Sequence, residues 1–500
     1  MSAAPNILWI CSDQQRFDTL GCYGNHFVTT PNIDRLAQNG ILFEHAYCQS
    51  PVCTPSRSSF LTGRYPRTTR CRQNGQHMPE TELLVPRLLA DAGYTCGLSG
   101  KLHLSPCFPD VAPTGERRIN DGYAEFHWSH TPMPSKLLPI PISKDGVTEY
   151  QMPNFADFSW PTNAYQLWLR EQGVSYRRIP FQESPYVQTS LPAEYHQTTW
   201  CAQKAITFIE TNADFKRPWL FSVNMFDPHH AFDPPEEYLK PYMDRLADIP
   251  LPNYLPGELE NKPPFQKHDH LHHENYPYAA MSENDHRMIR AAYWAMIDLI
   301  EAQVGRMIEA LEQTGQLENT IIIFMSDHGE MLGDHGFYLK GSFFYDPAVR
   351  VPLIISGPGI PAGKRSSALV ELVDLAPTLL DAATVERYPG MQGHSMWPLL
   401  TGQSTLDSHR DDVYCEYYNA LNTHPATDAQ ATMVRTEQHK LVYVHGLDTG
   451  ELYDLEIDPT ETHNCWSDPA YQSVKLAMFQ RLCNRMSWTV DPLPARVSPW

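Results

Sequence analysis

Short apolar runs alternate with helix-like patterns along roughly the first 385 residues of the chain. Five of these runs are predicted to be strands: Asn6–Cys11, Tyr94–Leu98, Trp219–Asn224, Thr320–Met325 and Val351–Ile355. Asp285–Thr314 has apolar residues three or four positions apart, which predicts one long helix with a buried face. That face carries Ile289, Ala292, Met296, Ile300, Val304 and Ile308. Alternation of this kind predicts an α/β fold with a large, mostly parallel sheet covered by helices.

Local signals set the ends of two further helices. Thr30 and Pro31 supply a cap residue and a first-turn proline, and Gly40 is the predicted stop. Leu83–Ala92 is predicted to be a helix that ends before Gly93.

The pattern changes at residue 386, so we predict a large domain over residues 1–385 and a smaller α+β domain over residues 386–500. In the smaller domain, Arg435–Val444 and Glu451–Asp458 are predicted to form an antiparallel pair. Val474–Trp488 is predicted to be the last helix.

Two segments of the larger domain have few periodic signals. Residues 104–195 are rich in proline and aromatic residues, and we expect an insertion that folds over the sheet. The histidine-rich segment His268–Glu274 lies between prolines and is expected to be an exposed loop, with a substrate lid as the second interpretation.

The chain has 500 residues, a formal net charge of −20 and 42% hydrophobic residues. Because no basic stripe offsets the acidic balance, the composition argues against a nucleic-acid partner. An anionic substrate remains compatible with it, since a pocket can hold local positive charge. No apolar run is long enough to span a membrane, so we expect no membrane partner.

The two ends of the sequence and its cysteines give expectations about the cellular location and the oligomeric state of the protein. No basic segment precedes the short apolar run Ile7–Cys11, which favours the cytoplasm; a removed signal peptide would instead indicate a periplasmic or secreted protein. The 11 cysteines lack zinc-like spacing, so we expect mostly reduced thiols. The tail Asp491–Trp500 is a candidate contact with a second subunit of a homo-oligomer.

Polar residues follow four of the predicted strands. They are Asp13 and Gln14, Lys101 and His103, His229 and His230, and Asp327 and His328. Ligands of open α/β sheets bind beyond the carboxyl ends of the strands. We therefore expect these side chains to converge on one site.

The strongest local signal is Cys53-Thr54-Pro55-Ser56-Arg57, continued by Leu61-Thr62-Gly63-Arg64. Pro55 suits a first helical turn and Gly63 a helix end. Cys53 would then lie at a helix N-terminus, which favours negative charge. Arg57 lies one turn further along the helix.

This motif resembles the signature of the type I, formylglycine-dependent sulfatases of the alkaline phosphatase superfamily. The resemblance extends over most of the chain, through Pro5–Ile7, Ser12–Gln14, Thr30–Leu36, Gly93–Tyr94, Gly100–His103, Asp227–His229, Ser326–Glu330, Gly333–Gly336, Lys340 and Leu452–Leu455. It implies an alkaline-phosphatase-like fold and hydrolysis of sulfate esters to an alcohol and inorganic sulfate. The substrate would be a sulfated small molecule or saccharide.

The resemblance also implies a nucleophile and a metal. In this family a formylglycine-generating maturation enzyme oxidises the cysteine before folding is complete, and Cys53 is the matching residue. Asp13, Gln14, Asp327 and His328 match metal ligands, together with position 53. Gln14 stands where many members have a second aspartate. Oxygen donors favour calcium, with manganese as the alternative because one ligand is an imidazole.

Other matches concern the hydrated formylglycine, which is a geminal diol, and the sulfate of the substrate. Arg57 and Lys101 match residues that hold the diol and the sulfate. His103 matches the base that assists collapse of the diol to the aldehyde. His229 and Lys340 match the pair that binds sulfate and protonates the leaving oxygen.

Two further residues are candidate substrate contacts. Asn74 is one, by weaker resemblance to the phosphonate monoester hydrolases of the same superfamily, and His230, beside His229, is the other.

Three alternatives stay open. A phosphonate monoester or phosphodiester hydrolase would use the same site, and Asp13-Gln14 with Asp327-His328 resembles that branch. A non-catalytic binding protein would have lost some of the ligands, and none is missing. A thiolate hydrolase would need Cys53 unmodified.

Overall fold

A computed structural model describes residues 4–108, 111–132, 142–144, 147–149, 162–181, 184–215, 217–419, 430–494 and 498. The α-helices are α1 (Pro31–Gln38), α2 (Cys53–Thr62), α3 (Pro66–Thr69), α4 (Val85–Asp91), α5 (Ala164–Glu171), α6 (Gln197–Thr211), α7 (Glu236–Met243), α8 (Pro264–His272), α9 (Glu283–Gln313), α10 (Asp346–Val349), α11 (Leu375–Ala382), α12 (Trp397–Leu400) and α13 (Gln472–Trp488). The strands are β1 (Asn6–Ser12), β2 (Gly40–Tyr47), β3 (Thr95–Gly100), β4 (Glu125–Trp128), β5 (Ile142–Lys144), β6 (Val147–Glu149), β7 (Arg177–Pro180), β8 (Gln188–Thr189), β9 (Trp219–Asn224), β10 (Thr320–Ser326), β11 (Arg350–Val351), β12 (Leu353–Ser356), β13 (Lys364–Glu371), β14 (Val413–Tyr418), β15 (Gln430–Arg435), β16 (His439–His445) and β17 (Thr449–Asp454).

The main sheet has nine strands in the order β11–β2–β12–β10–β1–β9–β3–β4, and β13 also pairs with β2. The five strands from β10 to β4 are parallel, whereas β12 runs antiparallel to β10. The register places Ser12 opposite Ser326, so the segments that follow β1 and β10 leave the sheet side by side. The prediction of a large, mostly parallel sheet with helices is confirmed.

Residues of β1 alternate between two hydrophobic cores, one on each face of the sheet. Trp9 packs in the core that contains residues of α2, α4 and α11, and Leu8 in the core that contains α6 and α9. The predicted apolar face of the long helix lies in the second core: Ile289, Ala292, Met296, Ile300, Val304 and Ile308. Burial on both faces explains why these strands are continuous apolar runs.

Gly40 differs from its predicted role as a helix stop. Helix α1 ends at Gln38, and Gly40 is the first residue of β2, which the apolar pattern did not predict. A Cβ at Gly40 would lie 2.3 Å from the carbonyl oxygen of Ile355 in the neighbouring strand. The glycine is therefore required by the close approach of two strands.

The prediction of a loop over His268–Glu274 is wrong for residues 268–272, which belong to a helix, whereas most of the segment is exposed as expected. Helix α8 begins at Pro264 and extends to His272. Proline is favoured in the first turn of a helix, so Pro264 starts the helix here. His270 is 9% exposed, and its Nδ1 lies 3.0 Å from the carbonyl oxygen of Gly336. The histidine therefore packs against the domain.

A separate antiparallel sheet, β14–β15–β16–β17, lies in the C-terminal part of the chain. The predicted antiparallel pair corresponds to β16 and β17. Arg435 belongs to the preceding strand, because the chain reverses at Thr436, whose N–H donates to the carbonyl of His439 at 2.8 Å. The domain boundary at residue 385 stays a prediction.

The segment 104–195 contributes β4 to the edge of the main sheet, together with α5 and a small sheet of β5 to β8. Within the described ranges no helix is long and apolar enough to cross a membrane. All 11 cysteines are free thiols. Residues 495–497 and 499–500 of the tail lie outside the described residues, and the homo-oligomer stays a prediction.

Lys440 joins the C-terminal sheet to the main domain through a buried ion cluster. Its Nζ lies 2.6 Å from Asp346 Oδ1 and also pairs with Glu461, and the lysine is fully buried. Because Lys440→Met leaves the buried Glu461 without its cation and Asp346 with Arg350 alone, we expect the free energy of unfolding to fall by about 3–5 kcal/mol. Equilibrium unfolding in denaturant measures this change.

Lys267→Met is the matched control for this prediction. Lys267 forms an ion pair with Glu260 at 2.6 Å, but the two side chains are 50% and 65% exposed. Its loss should cost at most about 1 kcal/mol. Equal losses in the two variants would contradict a special contribution from the buried cluster.

Candidate active site

Cys53 is the first residue of α2. Val52 before it is extended, and Gly63 ends the helix with φ of 69°, as the sequence predicts. Every residue of α2 is buried, and Cys53 and Arg57 are each only 1% exposed. Pro55 is tolerated because N–H groups of the first turn have no partner within the helix.

Four potential ligand groups surround the start of α2. Asp13 follows β1, and Asp327 and His328 follow β10, so the parallel register of these strands brings them together. The ligand atoms of Asp13, Cys53, Asp327 and His328 all lie within 4.8 Å of one another. Cys53 Sγ is 3.2 Å from His328 Nε2 and 3.8 Å from Asp13 Oδ1.

The donor set of this cluster fits a divalent cation. His328 Nδ1 lies 2.9 Å from the carbonyl oxygen of Gly329 and donates to it, so Nε2 faces the cluster and would bind a cation in exchange for its own proton. Burial alone would lower the pKa of His328, but the charges of Asp327 and Cys53 raise it to about 9. The site therefore favours positive charge, and two carboxylates with one imidazole suit calcium or manganese.

Two cations compensate the buried carboxylates. Arg57 Nε lies 2.8 Å from Asp327 Oδ2, and one Nη donates to the carbonyl of Lys101 at 3.0 Å. Lys101 Nζ pairs with Asp13 and lies 3.4 Å from Cys53 Sγ. Burial and Asp13 oppose ionisation of the Cys53 thiol, but Lys101, Lys340 and His328 outweigh them and lower its pKa.

His229 and Lys340 form a contact pair at one side of the cluster. Their Nε2 and Nζ atoms are 2.6 Å apart. His229 Nδ1 lies 2.5 Å from the carbonyl oxygen of His230, so Nδ1 donates and Nε2 accepts from Lys340. Burial, then Lys340 and His230, lower the pKa of His229, which keeps the imidazole neutral.

Gln14 connects this pair to the cluster of candidate metal ligands around Cys53. Its backbone N–H donates to Asp327 Oδ1 at 3.0 Å, and its side-chain oxygen accepts from Lys340. Its side-chain amide nitrogen donates to the buried Glu330. Metal ligation by Gln14 stays a prediction.

Glu116 is the site residue that the sequence did not reveal. Its carboxylate accepts from the backbone N–H of His103 at 2.9 Å, from that of Leu104, and from that of Ser105 at 3.2 Å. The Trp128 indole donates to it at 2.8 Å. Glu116 thus holds the turn in which His103 has a positive φ of 60°. It lies in a stretch without periodic pattern, and no local signal pointed to it.

His103 itself is 6% exposed and stacks edge-on to His130 with ring centroids 4.5 Å apart. Burial, then the charges of His130 and Lys101, lower its pKa well below the usual range. A neutral imidazole at this position is able to accept a proton.

Asn74 and His230 lie beside the same groups. Asn74 Oδ1 accepts from the backbone N–H of Thr54 at 3.0 Å, in the first turn of α2. His230 stacks on His229 with centroids 4.1 Å apart, and its Nδ1 lies 3.5 Å from Gln14 Nε2. Their roles as substrate contacts stay predictions.

Two family models match the chain. The model described as Sulfatase matches residues 5–385, and the model described as N-sulphoglucosamine sulphohydrolase, C-terminal, matches residues 333–487. An arylsulfatase of Clostridium perfringens is 30% identical to this chain, over 94% of this chain and 91% of its own length.

Solved structures have the same fold. The phosphonate monoester hydrolase of Agrobacterium radiobacter is 26% identical with a TM-score of 0.77, over 99% of this chain and 98% of that chain. A structure in complex with its substrate D-glucosamine-2-N,6-O-disulfate is 23% identical with a TM-score of 0.74, over 97% of this chain and 98% of that chain.

Glu116→Gln tests the support of the His103 turn. An amide replaces one acceptor oxygen with a donor, so at least one backbone N–H loses its partner and the turn shifts. If His103 is the base that the sequence predicts, kcat should fall by about 10- to 100-fold with KM little changed, because a misplaced base would slow the chemical step. Steady-state kinetics on an aryl sulfate measures both constants.

Glu125→Gln, a change of the same kind at a more exposed position nearby, should leave kcat unaltered. If the loss in Glu116→Gln only follows the fraction of unfolded protein, measured by circular dichroism, the positioning role is wrong.

Proposed function

Because the chain belongs to the sulfatase family and is a sulfuric ester hydrolase, we propose that it hydrolyses sulfate esters with a formylglycine formed from Cys53. The observation that carries this proposal is the position of Cys53. It is the first residue of a buried helix, within 4.8 Å of three potential metal ligands and 3.4 Å from a lysine. A nucleophile and a charged ester group would meet there.

Position 53 supplies the nucleophile. As formylglycine it would be hydrated, with one hydroxyl to attack sulfur and a second to let the adduct collapse and release sulfate. The helix N-terminus favours the negative charge that gathers at this point.

Asp13, Asp327 and His328, with position 53, would hold the cation, and Gln14 is the further candidate ligand. A bound divalent cation would lower the pKa of a hydroxyl at position 53 and polarise the sulfate oxygens. Calcium is favoured by the carboxylates, and manganese is the alternative.

Arg57 and Lys101 orient the reacting groups. Arg57 is fixed by Asp327 and by the carbonyl of Lys101, so its guanidinium has little freedom. Lys101 Nζ, 3.4 Å from Cys53 Sγ, places an ammonium where the sulfate oxygens would lie. His103 is the base for collapse of the adduct, and Glu116 positions it.

The leaving oxygen needs a proton, and the His229–Lys340 pair provides it. Since His229 Nε2 accepts from Lys340, the transferable proton of this pair resides on the Lys340 ammonium. His229 holds that ammonium in place through its own bond to the carbonyl of His230.

The alcohol part of the substrate would lie beyond this pair, near His230 and Asn74. A sulfated saccharide is the favoured class, supported by the similar structure that holds a disulfated glucosamine. A sulfated small molecule is the other candidate. A maturation enzyme that oxidises Cys53 is the partner that this mechanism requires.

A phosphonate monoester or phosphodiester hydrolase is the second candidate function. Gln14 beside Asp13 favours it, as does the similarity to the Agrobacterium radiobacter enzyme. Lys101 and His103 favour the sulfatase.

One prediction of this proposal concerns the modification itself. The tryptic peptide Leu36–Arg57, from protein made in its natural host, should carry an aldehyde at Cys53 while Cys48 in the same peptide stays a thiol. Cys53→Ala should lower kcat at least about a thousandfold, because the nucleophile is removed. Mass spectrometry and an aryl sulfate assay measure these outcomes.

Cys483→Ala, at an exposed cysteine, is the control and should keep full activity. Active protein whose Cys53 is an unmodified thiol would replace this mechanism with the thiolate hydrolase.

Another prediction separates the two candidate functions. We expect kcat/KM on an aryl sulfate to exceed that on an aryl phosphonate monoester with the same leaving group by at least about tenfold. Identical leaving groups ensure that the ratio reports on the transferred group alone. A ratio below one would favour the phosphonate hydrolase.

A further inference from the structure

A second cluster of metal-ligating side chains lies next to His103. His103, Cys107 and His130 have ligand atoms that all lie within 4.8 Å of one another. None of the roles assigned above uses Cys107 or His130. The cluster differs from the one at Cys53 in its donors, which are two imidazoles and one thiol.

The main sheet explains why these residues meet. His103 and Cys107 follow β3, and His130 follows β4, the parallel neighbour of β3. Ser129 N–H donates to the carbonyl of Gly100 at 2.9 Å, which holds the two segments together at the same sheet edge. Glu116 fixes the backbone between His103 and Ser105.

The side chains themselves are arranged to accept a cation. Nδ1 of His103 is buried and has no hydrogen-bond partner in the described part of the chain. The ring of His130 lies edge-on to it, 4.5 Å away. Cys107 is only partly buried, and its thiol makes a weak 3.3 Å contact with the carbonyl of Ser105.

We propose that His103, Cys107 and His130 form a binding site for a borderline-soft divalent cation, zinc in particular, distinct from the oxygen-rich cation site at Asp13. Zinc binds nitrogen and sulfur ligands tetrahedrally with bonds of about 2.0–2.3 Å. The donor atoms would therefore close in by about an ångström, which the partly exposed Cys107 side chain allows. Water would complete the coordination.

The chemistry of the two sites separates their ions. Calcium and manganese prefer oxygen ligands, whereas a thiolate with two imidazoles selects zinc. On binding, the Cys107 thiol loses its proton to solvent and the sulfur forms a bond to zinc, while each imidazole donates a nitrogen lone pair. The nearby cations, Lys101 and Arg57, are already paired with Asp13 and Asp327, so their charges are compensated.

Occupation of this site would inhibit the enzyme. This part of the inference rests on the proposed function, in which His103 accepts a proton. A zinc ion bound to the His103 ring would remove that base from the reaction. Zinc would thus be an inhibitor that acts beside the resident cation and leaves it in place.

Binding is tested first, without any assay of activity. Cobalt(II) is titrated into full-length Cys53→Ala protein, in which the thiol of the Asp13 cluster is absent, and the charge-transfer absorption of a cobalt–thiolate bond is recorded. We expect the band to appear, to persist when Cys22→Ser is added, and to vanish when Cys107→Ser is added. Cys22 is the matched control because it is also a partly buried thiol.

Inhibition is tested next, with the resident cation at saturation. Zinc should inhibit the wild type, and its inhibition constant should rise at least about tenfold in Cys107→Ser, with the activity of each protein compared with that of the same protein without zinc. His130→Gln, with folding checked by circular dichroism, should weaken cobalt binding in the same way and serves if Cys107→Ser does not fold.

A thiolate band that survives Cys107→Ser, or no band in any variant, would overturn the site. Equal zinc inhibition of the wild type and Cys107→Ser would overturn the inhibitory role, because zinc would then act by displacing the resident cation. If the protein hydrolyses no ester at all, the proposed function fails while the cobalt titration still decides the site.

Discussion

Two carboxylates, Asp13 and Asp327, are fully buried at the ends of neighbouring parallel strands, and their charges must be compensated. Arg57 and Lys101 do this from α2 and from the end of β3. These ion pairs fix α2 against the sheet, and with it the position of Cys53. The candidate cation ligands, Cys53 and Lys101 are thereby placed within a few ångströms of one another by one electrostatic requirement.

A second set of charged groups, Glu330 and Lys340, is connected to the Asp13–Asp327 cluster through the neutral side chain of Gln14. Gln14 donates to Glu330 and accepts from Lys340, so its neutral amide lies between a buried glutamate and an ammonium. With a carboxylate at this position, Lys340 would be held as an ion pair and less free to give up a proton. The neutral amide leaves that ammonium in contact with His229, whose Nε2 lies 2.6 Å from it.

The sequence predicts the strands at the middle of the main sheet better than the strands near its edges. Strands such as β1 and β10 are buried on both faces and have unbroken apolar runs, whereas β2 and β13 carry charged residues such as Glu44 and Lys364. The convergence of residues after strand ends follows from parallel topology, and the structure brings them together. Glu116 could not be found in this way, because it acts on backbone N–H groups from an irregular segment.

The complete burial of α2 has a consequence for how active protein is produced. Cys53 is 1% exposed, and the whole helix around it is enclosed. If Cys53 is the precursor of formylglycine, an oxidising enzyme has access to it only while this part of the chain is unfolded. The yield of active molecules is then decided by a kinetic competition between oxidation and folding. A chain that folds first would keep its thiol enclosed, so the amount of protein and its activity need not rise together when expression is increased.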